Sequence, residues 1–494
     1  MVTMRPTTTR LLSSLWALPL LLATSVPAVA EDWPQFRGVN GSAVSPSKGL
    51  PLRFSSKEGV KWKAPLGEGV SCPIVVGGRV FSTGMSAAQR FAVYAHDANN
   101  GKLLWKREYP LSGALPRITP PNSHAASTPA SDGKRLYLYF STIGLAAVDC
   151  ATGRDLWRLP LPKPAYLMDW GAAVSPIVYK GLVYFCQDDD LNPYLMAVDG
   201  VTGKVKWRVS RPDMLAGYSM PVLCEAGGRT DLVVAGTGKL KGYDPATGKE
   251  LWTCNTLLRT IMTSPVVKDG VVYIAVQSYG DAKRTLKFAL MEWLDTNQDK
   301  KLARTEMPKE FLEKFDLSDK NKDGFILDNE LDTAFQHPDN MVGGGNMVQA
   351  IKGGGSGDVT RTHVLWNVTT RAPSNLSSPI LVSGRVHVVK AGGLSSCLGA
   401  ADGKMLWEMT RMGNLGDYFA SPVAADGKIY ICGKNGFVVV LEDSPEMKVL
   451  ARNDMAGELI ASPAIANGRL YIRTRDTLYC IGGGPGLVSA GGGR

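Results

Sequence analysis

Two acidic stretches of twelve residues have the types and spacing to do chemistry. The second runs from Asp319 to Glu330, with Asp319, Asn321 and Asp323 at its first, third and fifth positions and Glu330 at its twelfth. Phe325 supplies a backbone carbonyl at the seventh position, and Gly324 stands at the sixth, where the chain must turn sharply. An all-oxygen set at this spacing suits a hard cation such as calcium, with the last carboxylate binding through both oxygens. The first stretch offers Asp295, Asn297, Asp299, the Lys301 carbonyl and Glu306 in the same register, but Lys300 occupies the turn position. A side chain there strains the turn and places a positive charge beside the ion, so this loop is expected to bind more weakly. Ile326, at the eighth position of the second loop, suits a short strand that would pair the two loops.

These loops lie in residues 284–340, which break the surrounding pattern. Leu286, Leu290, Trp293 and Leu294 fall on one helical face there. The rest of the chain is a repeat. A small residue or methionine followed by proline, then two β-rich runs separated by glycine, begins at Cys72, Thr128, Ser175, Met220, Ser264, Ser378, Ser421 and Ser462. Successive starts lie 41 to 56 residues apart, except for one interval of 114 that holds the acidic loops. That period fits a propeller blade of four strands. The expected fold is therefore all-β: an eight-bladed β-propeller with a small helical insertion in blade five.

Each unit ends in a second signature. Asp97, Gly101 and Trp105 are four residues apart, as are Asp149, Gly153, Trp157, then Asp199, Gly203, Trp207, and Asp244, Gly248, Trp252. Blade six keeps Gly403 and Trp407 but has Gly399 for the aspartate, and blade seven has Val449-Leu450 where the tryptophan would stand. Aspartate can accept the amides of a tight turn, and glycine can take its positive φ. Tryptophan then falls on the outermost strand, as a wedge between blades. Trp62 precedes the first start, while blade eight lacks a tryptophan, so a strand carrying Trp62 is expected to complete blade eight and remove its open edge.

The Ala95–Trp105 repeat resembles the PQQ-binding-like β-propeller repeat family, which includes quinoprotein dehydrogenases and BamB-type lipoproteins of the outer-membrane assembly machinery. The opening Asp32-Trp33-Pro34-Gln35-Phe36-Arg37-Gly38 resembles the start of many exported bacterial members. The acidic insert resembles compact bacterial EF-hand pairs. The resemblance implies the fold and leaves the activity open. Its dehydrogenases carry an adjacent cysteine pair over the quinone and a calcium site in the channel, and this chain has no Cys-Cys dipeptide. A non-catalytic binding or scaffold protein with calcium in the insert is therefore the favoured reading. A quinoprotein oxidoreductase is the alternative, and PQQ is not the favoured cofactor.

Residues just before each innermost strand should line one mouth of the channel: Asn122, His124, Asp169, Trp170, Tyr218, Arg259, Asn375, Asp417, Tyr418 and Glu458. This polar and aromatic set suits a small molecule or a protein segment. The run Asp188-Asp189-Asp190 reads as a solvated loop or a cation site, the former favoured. Since the insert hangs from one blade, calcium is expected to order residues 284–340 and leave the melting of the propeller nearly unchanged.

The formal charge of +10 is scattered rather than gathered, which argues against nucleic acid as a partner. Eight separated cysteines, several at the ends of apolar strands, read at least as readily as buried thiols as they do as disulfides. Residues 1–30 read as a secretory signal: Arg5 and Arg10, an apolar run from Leu11 to Val26, then Ala28-Val29-Ala30. No further segment has the length of a membrane span. The protein is expected to be monomeric and periplasmic or secreted. Residues 31–283 and 341–482 form the propeller, and residues 483–494 a flexible glycine-rich tail. N-terminal sequencing of exported protein should begin at or beside Glu31, and retention of Met1 would refute that processing.

Overall fold

Eight β-sheets, each opened by one of the proline starts, are arranged as eight blades. This computed structural model describes Met1 and residues 31–482 except 112, 167–168, 215–216, 257–261, 277–289, 292–293, 335–346, 371–375 and 414. Blade one shows the plan, with antiparallel strands Ile74–Val76, Arg79–Ala87, Arg90–Asp97 and Leu103–Pro110 in that order outward. The inner strands are near-continuous apolar runs because both faces are covered by neighbouring blades, whereas the outer strand is largely exposed. Blade four gains a fifth, parallel strand, Gly357–Asp358, beside Glu250–Cys254.

The aspartates act as expected: Asp97 Oδ1 accepts the amides of Asn99 and Asn100 at 2.7 and 3.2 Å. Gly101 has φ 74°, but the structure adds a second reason for glycine. A Cβ at Gly101 would lie 2.6 Å from the ring of Trp62, which belongs to the preceding blade. The same clash recurs for Gly153 with Trp105, Gly203 with Trp157, Gly248 with Trp207 and Gly403 with Trp366. Each indole N–H donates onward to a carbonyl of the next blade: Trp62 to Ala98, Trp105 to Cys150, Trp157 to Gly200, Trp207 to Pro245 and Trp366 to Ala400. Blade seven lacks the glycine turn, and Trp407 bonds Ser395 in its own blade instead. Trp252 likewise bonds Asp231 of its own blade.

Trp62 closes the ring. Its strand, Val60–Pro65, pairs antiparallel with Thr477–Gly482, so the outermost strand of blade eight comes from the other end of the chain. The proline starts form a second circuit nearer the axis. The amides of residues before proline donate to the side chain at the same position in the next blade, with one exception: Cys72 to Thr128, Thr128 to Ser175, Met220 to Ser264, Ser264 to Ser378, Ser378 to Ser421 and Ser421 to Ser462. Ser462 returns to the Cys72 sulfur at 3.1 Å. Met220 carries no hydroxyl, so the circuit is interrupted between blades three and four.

The segment after Ala30 crosses one end of the channel and touches every blade. Trp33 bridges Val75, Pro34 accepts the Ser131 amide and Gln35 Oε1 accepts that of Val178. Asn40 Oδ1 takes the Leu223 amide at 2.7 Å, and the turn Val39–Gly41 also packs on Val266–Lys268. Arg37 donates to the Pro379 carbonyl, Ser45 to that of Ala424, and Glu31 accepts the Asn467 amide. Arg37 is 1% exposed, and burial lowers its pKa to about 9.

All eight cysteines are free and buried. Two histidines are buried between blades, His96 beside Trp62 and His387 beside Trp407, and burial lowers each to a pKa of about 4. An unfolded histidine takes its proton near pH 6.5. At these two sites the folded protein therefore binds fewer protons than the unfolded chain between about pH 6.5 and 4, and their contribution to stability falls as the pH drops through that window. Melting followed from pH 7.5 to 4 should show this loss, and replacing His387 with glutamine should shrink it.

Candidate functional site

The N-terminal segment occupies the face where first and second strands turn, near Gly77, Asp426 and Asn467. The opposite face carries the loops that enter each blade, and there the expected mouth residues separate into two groups. At blades eight, one and two, Arg475 donates to Glu458 at 2.7 Å and to Glu68 at 2.9 Å, while Ser123 donates to Glu68 at 2.8 Å. His124 stands beside this network, and burial holds it below the ordinary histidine range against the opposing pull of Glu68.

At blades two to four the rings of Tyr166 and Tyr218 stack with centroids 5.0 Å apart, and Trp170 tilts against Tyr218 at 6.2 Å. Asn122 Nδ2 donates to the Trp170 carbonyl at 2.6 Å. Asp169 holds a left-handed φ of 50°, and its carboxylate lies 3.8 Å from Arg117.

Other expectations fare differently. Tyr418 is 2% exposed and belongs to the apolar core around blades seven and eight, not to an open mouth, while the neighbouring Asp417 is exposed. Arg259 and Asn375 lie outside the described residues. Glu68, Arg475 and Tyr166 were not among the expected residues, because the first two act through partners far away in sequence.

The solvated reading of Asp188-Asp189-Asp190 is overturned. Asp188 and Asp189 are 2% and 3% exposed. Asp188 makes a two-pronged ion pair with buried Arg211, both bonds 2.8 Å, and Arg211 also meets the Tyr243 hydroxyl. Asp189 accepts the amides of Ala165, Leu191 and Asn192. Burial raises the pKa of both aspartates. Their paired and capped geometry makes them scaffold for the mouth, since charge this deep needs partners to remain ionised.

The insert joins strands Val271–Val276 and Met347–Lys352 of blade five on this same face. Its two acidic loops repeat one hydrogen-bond plan. Asp295 accepts the amides of Asp299 and Lys300, and Asp319 those of Asp323 and Gly324. Glu306 accepts the amides of Thr296 and Asn297, as Glu330 accepts those of Lys320 and Asn321. Leu302–Ala303 pairs with Phe325–Ile326, so the loops lie side by side as Ile326 implied. Lys300 sits at φ 64° where Gly324 sits at 86°, which is the strain expected from the sequence. Short helices Leu312–Ser318 and Asp328–Thr333 flank the second loop. Leu290 and Leu294 enter the insert's core, while Leu286 and Trp293 lie outside what the structure describes. Asp319 and Glu330 are 8% and 7% exposed. Among the described residues no group of three or more His, Cys, Asp or Glu side chains is drawn together as a metal cluster. The second loop instead mixes its carboxylates with the Asn321 amide and the Phe325 carbonyl.

The insert does not hang from blade five alone. Ala165 and Leu191, in loops of blade three, pack against its apolar core, and Lys314 donates to the Asp190 carbonyl.

Among the described residues no helix is long and apolar enough to cross a membrane. A family model described as outer membrane protein assembly factor BamB matches residues 55–186, 89–321 and 326–483. A polyvinylalcohol dehydrogenase from a Pseudomonas species is 26% identical over 188 residues, 35% of this chain and 27% of that one. The quinoprotein alcohol dehydrogenase PedH of Pseudomonas putida is 31% identical over 162 residues, 30% of this chain and 26% of its own. The aligned part thus spans about a quarter of these two relatives. Among solved structures, BamB from Moraxella catarrhalis superposes with a TM-score of 0.53 at 15% identity, covering 85% of this chain and 96% of that one. A europium-containing methanol dehydrogenase superposes with a TM-score of 0.51 at 12% identity, covering 90% and 89%. At these identities the superpositions speak for the fold alone. With its eight blades, its recurring Asp–Gly–Trp turns and a family match over most of its length, this chain belongs to the PQQ-like β-propeller repeat family that includes BamB.

Proposed function

We propose that this chain is an exported, non-catalytic binding or scaffold propeller that binds calcium through an inserted EF-hand pair. The observation that carries the calcium reading is the repeated plan of the two loops, each tied by its first and twelfth carboxylates to its own amides and joined through Leu302–Ala303 and Phe325–Ile326. Asp319, Asn321, Asp323, Glu330 and the Phe325 carbonyl would hold the ion in the second loop. Asp295, Asn297, Asp299, Glu306 and the Lys301 carbonyl would hold it in the first. The donors are all oxygen, as calcium prefers, and the loop backbone they require is already formed. The half-buried Trp170 and Tyr218 and the charged network at Arg475 offer the mouth to a protein segment or a small molecule.

A quinoprotein oxidoreductase is the second reading, favoured by the likeness to PedH and the polyvinylalcohol dehydrogenase. Against it stand the absence of a Cys-Cys pair and the dispersal of eight buried, free thiols along the chain. An absorbance spectrum and metal analysis of purified protein address both readings. Reconstitution with PQQ and calcium should give no dye-linked oxidation of alcohols or sugars, and sustained turnover would establish the oxidoreductase.

A further inference from the structure

We infer that the insert is a calcium-set latch that carries the state of its second loop to the blade-three rim of the channel mouth. The inference rests on the calcium reading above and extends it from binding to control of the propeller.

One helix makes the connection. Leu312–Ser318 places Phe315 in the insert's core, donates through Lys314 to the Asp190 carbonyl and ends where Asp319, first residue of the second loop, bonds its amide to the Phe315 carbonyl at 2.9 Å. Lys314 is five residues from Asp319, roughly 7–8 Å along a helix. An ion that holds Asp319 therefore fixes the end of the helix whose other side reaches blade three.

The receiving surface is already rigid. Asp189 gathers the amides of Ala165, Leu191 and Asn192, and the Asp188–Arg211 pair anchors the same loop from below. Ala165 and Leu191 then meet the insert's apolar core, of which Phe311, Phe315 and Ile326 are part. Tyr166, next to Ala165, stacks on Tyr218 and so continues the contact to the aromatic group of the mouth. The insert begins in blade five and seats on blade three, so the contact spans blade four along the face where ligands would enter.

If calcium favours the seated insert, the seated insert favours calcium by the same factor. The test uses the mature chain. Calorimetric titration with calcium comes first, followed by hydrogen exchange at residues 161–166 and 187–193 in calcium and in EDTA. Calcium should slow exchange in both loops by about five-fold or more, the lower range of such couplings, and Glu330→Gln should abolish the difference. Leu191→Asp should weaken calcium binding by a similar factor, although Leu191 is no ligand. The milder Leu191→Ala should weaken it in the same direction and serves if the aspartate variant does not fold. Calcium binding with unchanged exchange at blade three and unchanged affinity in both Leu191 variants would overturn the latch and leave the calcium reading standing. No calcium binding by the wild-type chain would overturn both.

Discussion

Removing residues 57–66 should leave a protein that melts well below the intact chain and aggregates as it does so. The deleted stretch contains Val60–Pro65, whose pairing with Thr477–Gly482 completes blade eight. Without it that blade ends on an unpaired edge, a template for intermolecular strand pairing. The loss includes Trp62, 7% exposed, whose indole donates to Ala98 and whose ring lies on Gly101 of blade one. Truncating one such buried aromatic costs about 3–5 kcal/mol, so Trp62→Ala alone should give a large share of the effect. Trp407→Ala is the internal control: Trp407 is half-buried and bonds its own blade, so its loss should cost less. Scanning calorimetry and light scattering of the three variants provide the comparison. A truncated protein that melts like the full one would mean that the ring is held closed by other means.

The second large effect is on calcium. Glu330→Gln should remove most of the affinity of the second loop, because a bidentate carboxylate at the twelfth position completes the coordination shell. Lys300→Gly should strengthen the first loop by removing both the charge and a side chain held at φ 64°. Titration should therefore show one strong site in the wild type, none in Glu330→Gln, and a second approaching it in Lys300→Gly. Calcium at a hundred times its Kd stabilises whatever unit unfolds with it by about 2.7 kcal/mol. Because the insert is seated on Ala165 and Leu191, that stabilisation should extend to blade three rather than stop at the insert, contrary to the nearly unchanged propeller melting expected from sequence.

What could be read from sequence was what repeats. The proline starts and the Asp–Gly–Trp spacing report local turns and strand lengths, and Trp62 betrayed its place through a tryptophan missing elsewhere. The second reason for Gly101 and its counterparts was hidden because it comes from a ring in the preceding blade, some forty residues away in the chain. Residues 31–47 have no period at all: their contacts are single side chains and amides distributed over eight blades. The docking of the insert was equally silent, since Ala165, Leu191 and Lys314 are ordinary residues for loops and helix surfaces. Asp188 and Asp189 misled for a related reason. An acidic run usually signals solvent, and only the folded chain brings Arg211 and three amides to it.

The circuit of residues before proline has a mechanical meaning. A closed hoop shares a pull applied at any blade among all its links, whereas a hoop with one weaker link parts there first. In this hoop the weaker link is at Met220, between blades three and four, and the insert runs as a tie-rod from blade five to blade three across that seam. Pulled apart by its rim, the propeller should yield between blades three and four, at a force set by how firmly the tie-rod is seated.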